Sequence, residues 1–470
     1  MSLLPPPGSH IHLIGIGGAG MSAIARVLLG LGYRVTGSDR IASDVSAALV
    51  SEGAAVIIGH DAVNVGGAQA VIVTSAASAD HLEVRAARAA NIPVYKRSDI
   101  IGDLMRGKSV IAVAGTAGKT TTTSMIAHIL IGLGRDPSYI VGGVLSTTGV
   151  NGHAGSGDIF VVEADEYDNM FLGLSPDVAV ITNIVWDHPD FFPTVDEMVS
   201  SFRRFADRIT PQGTLIVCRD DPGALSLAQD WATAGWRVVR TYGERSIGGD
   251  ADIHMRDLRT KAGSPIFEYC VGAADWATVY LNVPGRHNAH NAAAALAAVQ
   301  TAVGSAFDVQ RAVEALASFA GTGRRFEIMG EQAGIIVVDD YAHHPLKIQA
   351  ALEAARSRYP DHALWAIWQP HTFSRTEALW DDFSHSFGLA DHVLVTPIYA
   401  AREDPIPGVD GAAVAESIAQ FHADARHVVS FEEAAAILRR EAHGPAVVMI
   451  LSAGDAPRIG KMLLHRSLSY

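Results

Sequence analysis

Cysteine is nearly absent: Cys218 and Cys270 are the only two in 470 residues. So low a count excludes a disulfide framework and suits a reducing compartment. Basic residues are outnumbered, with 36 Lys and Arg against 50 Asp and Glu, for a net charge of −14 at pH 7. Nucleic acid and anionic lipid both select a basic face, so neither a nucleic-acid nor a membrane-surface partner is expected. No apolar run is long enough to cross a bilayer. The opening "MSLLPPPGSH" lacks the charged start and long apolar core of a secretory signal. These absences lead to the expectation of a cytoplasmic protein. Low-complexity tracts and short-period repeats are missing too. What is present is 49% hydrophobic residues with 18% charged, ample for large packed cores. Single cores stop growing well below this length, so two to four domains are expected.

Short apolar runs alternate with Ala/Leu-rich stretches. "HIHLIGIG", "YRVTGSD", "AVIVTSA", "SVIAVAG", "DIFVVEAD" and "VAVITNI" read as strands, with helical segments such as "AGMSAIARVLLGLG" between them. That alternation predicts an α/β fold with mostly parallel sheets covered by helices. Three units are proposed: 1–107, 108–322 and 323–470. Within the second, "ADIHMRDLRTKAGSPIFEYCVGAADWATVYLNVPG" alternates with period two, as antiparallel strands do.

The stretch "VIAVAGTAGKTTTTSM", residues 110–125, carries the strongest chemical signal. Gly115, Thr116, Ala117, Gly118, Lys119 and Thr120 form a G-x-x-G-K-T turn between a strand and a helix. Glycines admit backbone N–H groups close to phosphate oxygens, Lys119 neutralises β/γ-phosphate charge, and the Thr120 hydroxyl suits Mg²⁺. Val113 stands where the first glycine of the full G-x-x-x-x-G-K-[ST] pattern would be. An ordinary Gly turn with a solvated lysine is the bland alternative. Downstream, "FVVEADEYD" ends a strand with Glu163, Asp165, Glu166 and Asp168. "VAVITNIVWDHPD" ends another with Asn183, Asp187 and His188. Ligands gather at the carboxyl ends of strands in open α/β sheets, so Glu163 and His188 are candidates to meet Thr120. A solvated acidic turn and a structural histidine are the competing readings.

"HLIGIGGAGMSAIA" holds a second cradle, Gly15, Gly17 and Gly20 in G-x-G-x-x-G spacing with Gly18 between them. Asp39 follows about 20 residues on, where a ribose contact is expected. Taken alone this fingerprint suggests NAD and a nicotinamide-dependent oxidoreductase. Beside an ATP-type loop, a substrate carried on a nucleotide diphosphate fits the same cradle for the same electrostatic reason.

The chain resembles the Mur ligases of peptidoglycan synthesis. "HLIGIGGAGMSAIA", "AVAGTAGKTTTTSM", "VVEADEYD", "TNIVWDH", "PGRHNAHNAAAALA", "GTGRRFE", "DDYAHHP", "QPHTFSRT", "IYAAREDPIPG" and "SAGDAPRIGK" occur in the family's order along nearly the whole chain. The resemblance implies a Rossmann-like UDP-sugar domain, a central ATPase-type domain and a Rossmann-like C-terminal domain closing over the amino-acid site. It implies Lys119, Glu163, His188 and Arg325 as catalytic. ATP would be held by residues 115–120 with Thr121, Asn288, Asn291, Arg325 and Asp340. Thr120, Glu163 and His188 would hold Mg²⁺. Gly15, Gly17, Gly18, Gly20, Asp39 and Ser75 would hold the UDP-sugar, and His343, His371 and Arg375 would face the amino acid. The implied reaction uses ATP to join L-alanine to the lactyl carboxylate of UDP-N-acetylmuramate through an acyl phosphate, in a monomer or homodimer.

Read from the residues themselves, "HNAHN" offers amides to a purine edge or merely caps a helix. Arg325 offers a planar fork to phosphate or a surface salt bridge. Ala117 stands where the family has His, and Thr372 where it has Arg. "EADEYD" and "WDHPDFF" lean towards a relative that attaches a preformed tripeptide to UDP-N-acetylmuramate. "QPHTFSRT" and "IYAAREDPIPG" lean back towards alanine addition. His188 and His343 are both candidates for the base that deprotonates the incoming amine. A non-catalytic ATP-binding switch is a third class of function.

Overall fold

Ten strands in one sheet dominate the chain, flanked by smaller sheets of five and six among the described residues. This computed structural model describes residues 2–74, 77–233, 238–244, 253–271 and 276–464.

The first sheet runs β3 (Ala55–Ile58), β2 (Arg34–Asp39), β1 (His10–Ile14), β4 (Ala70–Val73), β5 (Val94–Lys96), and every pairing is parallel. The order reverses direction at β1, so the carboxyl ends of β1 and β4 flank a crevice. β1 is buried at all five positions, as a central parallel strand covered on both faces must be.

The ten-stranded sheet is built around β6 (Ser109–Ala114), which pairs in parallel with β9 (Ile159–Glu163) and β10 (Val178–Ile181). Beyond β10 lie β11 (Thr214–Cys218) and β12 (Val238–Glu244), also parallel. β7 (Ser138–Ile140) and β8 (Gly152–His153) close the other edge. β13 (Ile253–Lys261) joins β12 in parallel, then pairs antiparallel with β14 (Ser264–Val271), which pairs antiparallel with β15 (Ala277–Tyr280). The period-two segment is thus an antiparallel extension of a parallel sheet; parts of it, 251–252 and 272–275, lie outside the described residues. Helices Lys119–Gly132 and His287–Val303 lie against each other and the sheet. The second buries Ala292 to Ala298 without a break, because small side chains let it approach the sheet closely.

The third sheet runs β16 (Glu327–Gln332), β17 (Ile335–Asp340), β21 (Ala446–Leu451), β18 (Ala363–Trp368), β19 (His392–Val395), β20 (Ala425–His427). Only β16 is antiparallel among these.

The first two sheets share one apolar cluster, which runs from Ile11 and Ile24 through Ala112 and Phe160 to Phe202. Helix Ala19–Gly30 lies on the β7–β8 edge. There Asn151 donates to the Ala19 carbonyl at 2.8 Å and to Ser22 Oγ at 3.0 Å, and accepts from Arg26. Gly152 is required at this junction, since a Cβ would run into the Ala23 backbone. Gly152→Val is therefore expected to cost about 1–3 kcal/mol by overpacking, seen in calorimetry as a lower melting temperature.

Candidate active site

The phosphate loop leaves β6 at Ala114 and turns on two glycines with positive φ, Gly115 at 134° and Gly118 at 84°. A Cβ on Gly115 would press on Thr182, and one on Gly118 on the Asn291 side chain. The end of β10 clamps the loop. Ala117 N–H donates to Asn183 Oδ1 at 2.8 Å, and Asn183 Nδ2 and Thr182 Oγ1 donate to the Ala117 carbonyl at 3.0 and 2.6 Å. Thr116 Oγ1 donates to the Val185 carbonyl at 2.6 Å. Ala117 thus contributes its backbone to the cradle, which needs no side chain there.

Lys119 opens helix Lys119–Gly132, whose N-terminal dipole favours anions. Its ammonium donates to both Glu166 oxygens at 2.7 and 2.6 Å and to the Gly115 carbonyl at 2.7 Å. Burial acts to lower the lysine pKa, but the carboxylates of Glu166, Asp165 and Glu163 outweigh it and hold the group protonated. Burial lifts Glu166 to about 7 despite the lysine. Beside them Thr120 Oγ1 donates to Glu163 Oε1 at 3.0 Å and accepts from Arg325 Nη2 at 3.1 Å. Gly142 N–H donates to the other Glu163 oxygen at 2.7 Å.

The third unit meets this site through a buried ion pair. Arg375 Nε donates to Asp187 Oδ1 at 2.8 Å, with the side chains 3% and 1% exposed. Burial alone would raise the Asp187 pKa, but Arg375, with smaller contributions from His188 and Lys347, holds it well below the usual range. Lys347 Nζ approaches the second Asp187 oxygen at 3.4 Å, and burial lowers that lysine to about 8. The remaining Arg375 nitrogens donate to His371 Nδ1 at 3.0 Å and His188 Nδ1 at 3.3 Å. Three histidines here are kept neutral, chiefly by burial: His188 falls to about 4, His371 to about 3, and His343 well below its ordinary value. His343 Nδ1 donates to the Tyr341 carbonyl at 2.8 Å, which leaves Nε2 as an acceptor. Tyr341 also carries Arg325 over its ring at 4.8 Å.

Other candidates are placed nearby. Asn288 and Asn291 are buried and bonded to each other at 3.0 Å, with Thr122 donating to Asn291 at 3.3 Å. Asp340 accepts from Phe326 N–H at 2.9 Å where the chain enters the third unit. Thr121 sits on the first turn of the phosphate-loop helix. In the first cradle, Gly15 has φ 78° and donates to the Ser38 carbonyl at 2.8 Å. Gly18 N–H donates to the Gly15 carbonyl at 3.2 Å. Gly17 N–H donates to Asp39 Oδ2 at 2.8 Å, and Gly20 is bare against the Arg97 guanidinium. Lys96 reaches Asp168 at 3.3 Å, which brings this cradle beside the "EADEYD" turn. Ser75 lies outside the described residues.

Glu166, Asp187, Thr182 and Asn183 stood within the strand-end motifs, but their pairings depend on which strands are neighbours. Lys347 and Tyr341 went unselected. Lys347 lies three residues after His344, which caps helix Pro345–Arg358. Nothing local in the sequence marks a first-turn lysine as one that faces Asp187.

A phosphate loop at the end of a parallel strand, a second glycine cradle and a third α/β unit bringing arginines and histidines to the phosphate-loop side define a multidomain nucleotide-dependent enzyme. Three family models match in order: the Mur ligase family catalytic domain over residues 10–109, the Mur ligase middle domain over 113–299, and the Mur ligase glutamate ligase domain over 324–454. The chain is 44% identical over 456 residues to a UDP-N-acetylmuramate–L-alanine ligase of Desulfosudis oleivorans, covering 97% of this chain and 98% of that one. It is 44% identical over 470 residues to the enzyme of that name from Mycolicibacterium gilvum, covering 98% and 97%. Among solved structures, UDP-N-acetylmuramate–alanine ligase MurC of Thermotoga maritima aligns with TM-score 0.81 at 27% identity, covering 97% of this chain and 98% of that one. A murein peptide ligase of Psychrobacter arcticus aligns with TM-score 0.73 at 26% identity and the same coverage. The chain belongs to the Mur ligase family.

Two outcomes follow from this geometry. Arg375→Met strips Asp187 of its nearest cation and is expected to destabilise the protein by about 3–5 kcal/mol, measured by denaturant titration. Neutral His188, His343 and His371 also set a pH dependence. The unfolded chain binds protons at these histidines below about 6.5, whereas native His188 binds one only near 4. Between those values the unfolded state holds more protons, so stability should fall as pH is lowered from 6.5 towards 4. His371→Gln should flatten that slope in a series of thermal melts.

Proposed function

We propose that this chain uses ATP to join L-alanine to the lactyl carboxylate of UDP-N-acetylmuramate, in peptidoglycan precursor synthesis. The observation that carries the reading is similarity over nearly the whole chain to enzymes of that name, joined to a phosphate loop that faces a buried cationic cluster. The tripeptide-attaching relative is the less similar solved structure, at TM-score 0.73 against 0.81. An oxidoreductase or a passive ATP switch finds no support in the family.

A carboxylate is a poor electrophile, so ATP first converts it to an acyl phosphate; the alanine amine then attacks and phosphate leaves. The phosphate loop fits a polyphosphate, since side chains at Gly115 or Gly118 would fill its cradle. Lys119 and Arg325 stabilise charge on the transferred phosphoryl group. Entry of the γ-phosphate draws Lys119 from Glu166. A carboxyl lifted to about 7 takes up a proton when its ammonium leaves, which lowers the cost of that exchange. The Thr120 hydroxyl and Glu163 carboxylate, 3.0 Å apart, are hard oxygen donors of the kind Mg²⁺ accepts beside substrate phosphates and water, while His188 Nε2 lies 3.8 Å from the neighbouring Glu166. Bound there, Mg²⁺ would neutralise phosphate charge. The G-x-G-x-x-G turn and Arg97 take the UDP diphosphate, and Asp39 the ribose beside it. Arg375 and Lys347 share the single Asp187 charge, and the surplus positive charge, walled by His343 and His371, receives the alanine carboxylate. The compartment is the cytoplasm, where these nucleotide substrates would be met; among the described residues no helix is long and apolar enough to cross a membrane.

The purified protein should release phosphate from ATP only with both UDP-N-acetylmuramate and L-alanine present. Release with the tripeptide and none with alanine would replace this reading by tripeptide attachment. Lys119→Ala should lower kcat/KM by about 10²–10³. Lys347→Met should raise KM for alanine about tenfold, about 1.4 kcal/mol, with a smaller effect on kcat.

A further inference from the structure

A second cluster of chemistry-bearing side chains sits at the carboxyl edge of the first sheet, outside the residues used above. Glu83 is fully buried, yet among the described residues no lysine or arginine pairs with it. Around it stand three imidazoles. His60 Nδ1 is 3.5 Å from Glu83 Oε1, and His12 Nε2 is 3.6 Å from Oε2. The His60 and His81 rings are nearly perpendicular, with centroids 4.5 Å apart. One ligand atom each of His60, His81 and Glu83 lies within 4.8 Å of the others. His81 Nδ1 is buried without a hydrogen-bond partner, as is His12 Nε2.

We propose that His60, His81 and Glu83 form a binding site for a borderline transition-metal cation of the Zn²⁺ type, with the fourth position left to water. Two imidazoles and one carboxylate are a recurrent three-residue zinc set. Bonds of 2.0–2.1 Å in a tetrahedron place ligand atoms about 3.4 Å apart; His60 Nδ1 is 3.5 Å from Glu83 Oε1, and a cation there would replace its present 3.1 Å hydrogen bond to Ser38 Oγ and release the Nδ1 proton. The supporting shell is in place as well. Asn64 Nδ2 donates to Glu83 Oε1 at 2.6 Å and Ser38 Oγ to Oε2 at 2.6 Å, bonds that orient a ligating carboxylate. Buried with only imidazoles near its oxygens, the Glu83 carboxylate lacks a full counter-charge. A dication supplies it and gives the orphaned His81 nitrogen a partner. The other comparable group, Asp220, Glu244 and His290, differs: Arg286 already binds both Glu244 oxygens at 2.7 and 2.6 Å and takes the cation's place. The metal would tie the segment after β3 to the start of helix Leu82–Ala89, beside Ser38 and the Asp39 of the first cradle.

The test uses the full chain, freed of metal by chelation and titrated with Co²⁺ and Zn²⁺. Expected are the visible bands of tetrahedral Co²⁺ saturating at one equivalent, their displacement by Zn²⁺, and Zn²⁺ affinity about 100-fold weaker in His81→Ala. Glu163→Gln, at the separate Mg²⁺ position, should leave the bands unchanged. Bands that survive in His81→Ala and vanish in Glu163→Gln would overturn the proposal, as would only weak, octahedral Co²⁺ absorption in the unsubstituted protein. Should His81→Ala misfold, Zn²⁺ protection of His60 and His81 from carbethoxylation, mapped by mass spectrometry on the unsubstituted chain, decides the matter; absence of protection overturns it.

Discussion

The contact between Arg375 and Asp187 fixes the geometry on which the rest of the site depends. Asp187 stands at the end of a strand in the middle sheet, and Arg375 begins a short helix in the third unit. Once the arginine is held by a buried carboxylate, its other nitrogens orient His188 and His371, one from each side of the joint. Without a partner, either charge would be stranded in a medium that penalises it by several kcal/mol. The two units therefore meet in one register, and that register brings Arg325 to Thr120 and Lys347 to Asp187.

A second buried pair, Lys119 with Glu166, works in the opposite sense. It occupies the lysine of the glycine loop, so that the loop is ordered with its charge already balanced. Glycines at 115 and 118 give the backbone its shape, and Thr182 and Asn183 of the neighbouring strand keep it. The side chains on these short turns are thus braced by the parallel strands beneath them.

Much of this was legible in the sequence. The strand–glycine–lysine–threonine succession at 110–120 states its chemistry locally, because strand, turn and helix are contiguous. The same holds for Gly15, Gly17 and Gly20, and for the three-sheet α/β plan, whose strands announce themselves as apolar runs. Glu166 and Asp187 stood among several acids in their motifs, and nothing local distinguishes an acid that binds a cation from a solvated one. Their partners come from elsewhere in the chain: Lys119 is 47 positions from Glu166, and Arg375 is 188 from Asp187. Lys347 escaped notice because a lone lysine near a helix start is ordinary until the helix is seen to point at a buried carboxylate. The cluster about Glu83 was silent for the same reason, its histidines being drawn from β1, the end of β3 and the turn after β4.

The chain passes from the second unit to the third through a short segment in which Arg324 and Phe326, neither of them glycine, hold φ of 59° and 48°. Each such residue costs about 1–3 kcal/mol, and here each is pinned: Arg324 N–H to Glu327, its guanidinium to Asp339 and the Ser452 carbonyl, Phe326 N–H to Asp340. The first two units share a continuous apolar interior, and this segment is the covalent link from them to the third. The same joint is held a second time where Arg375 meets Asp187, so the stance of the third unit is set at two points.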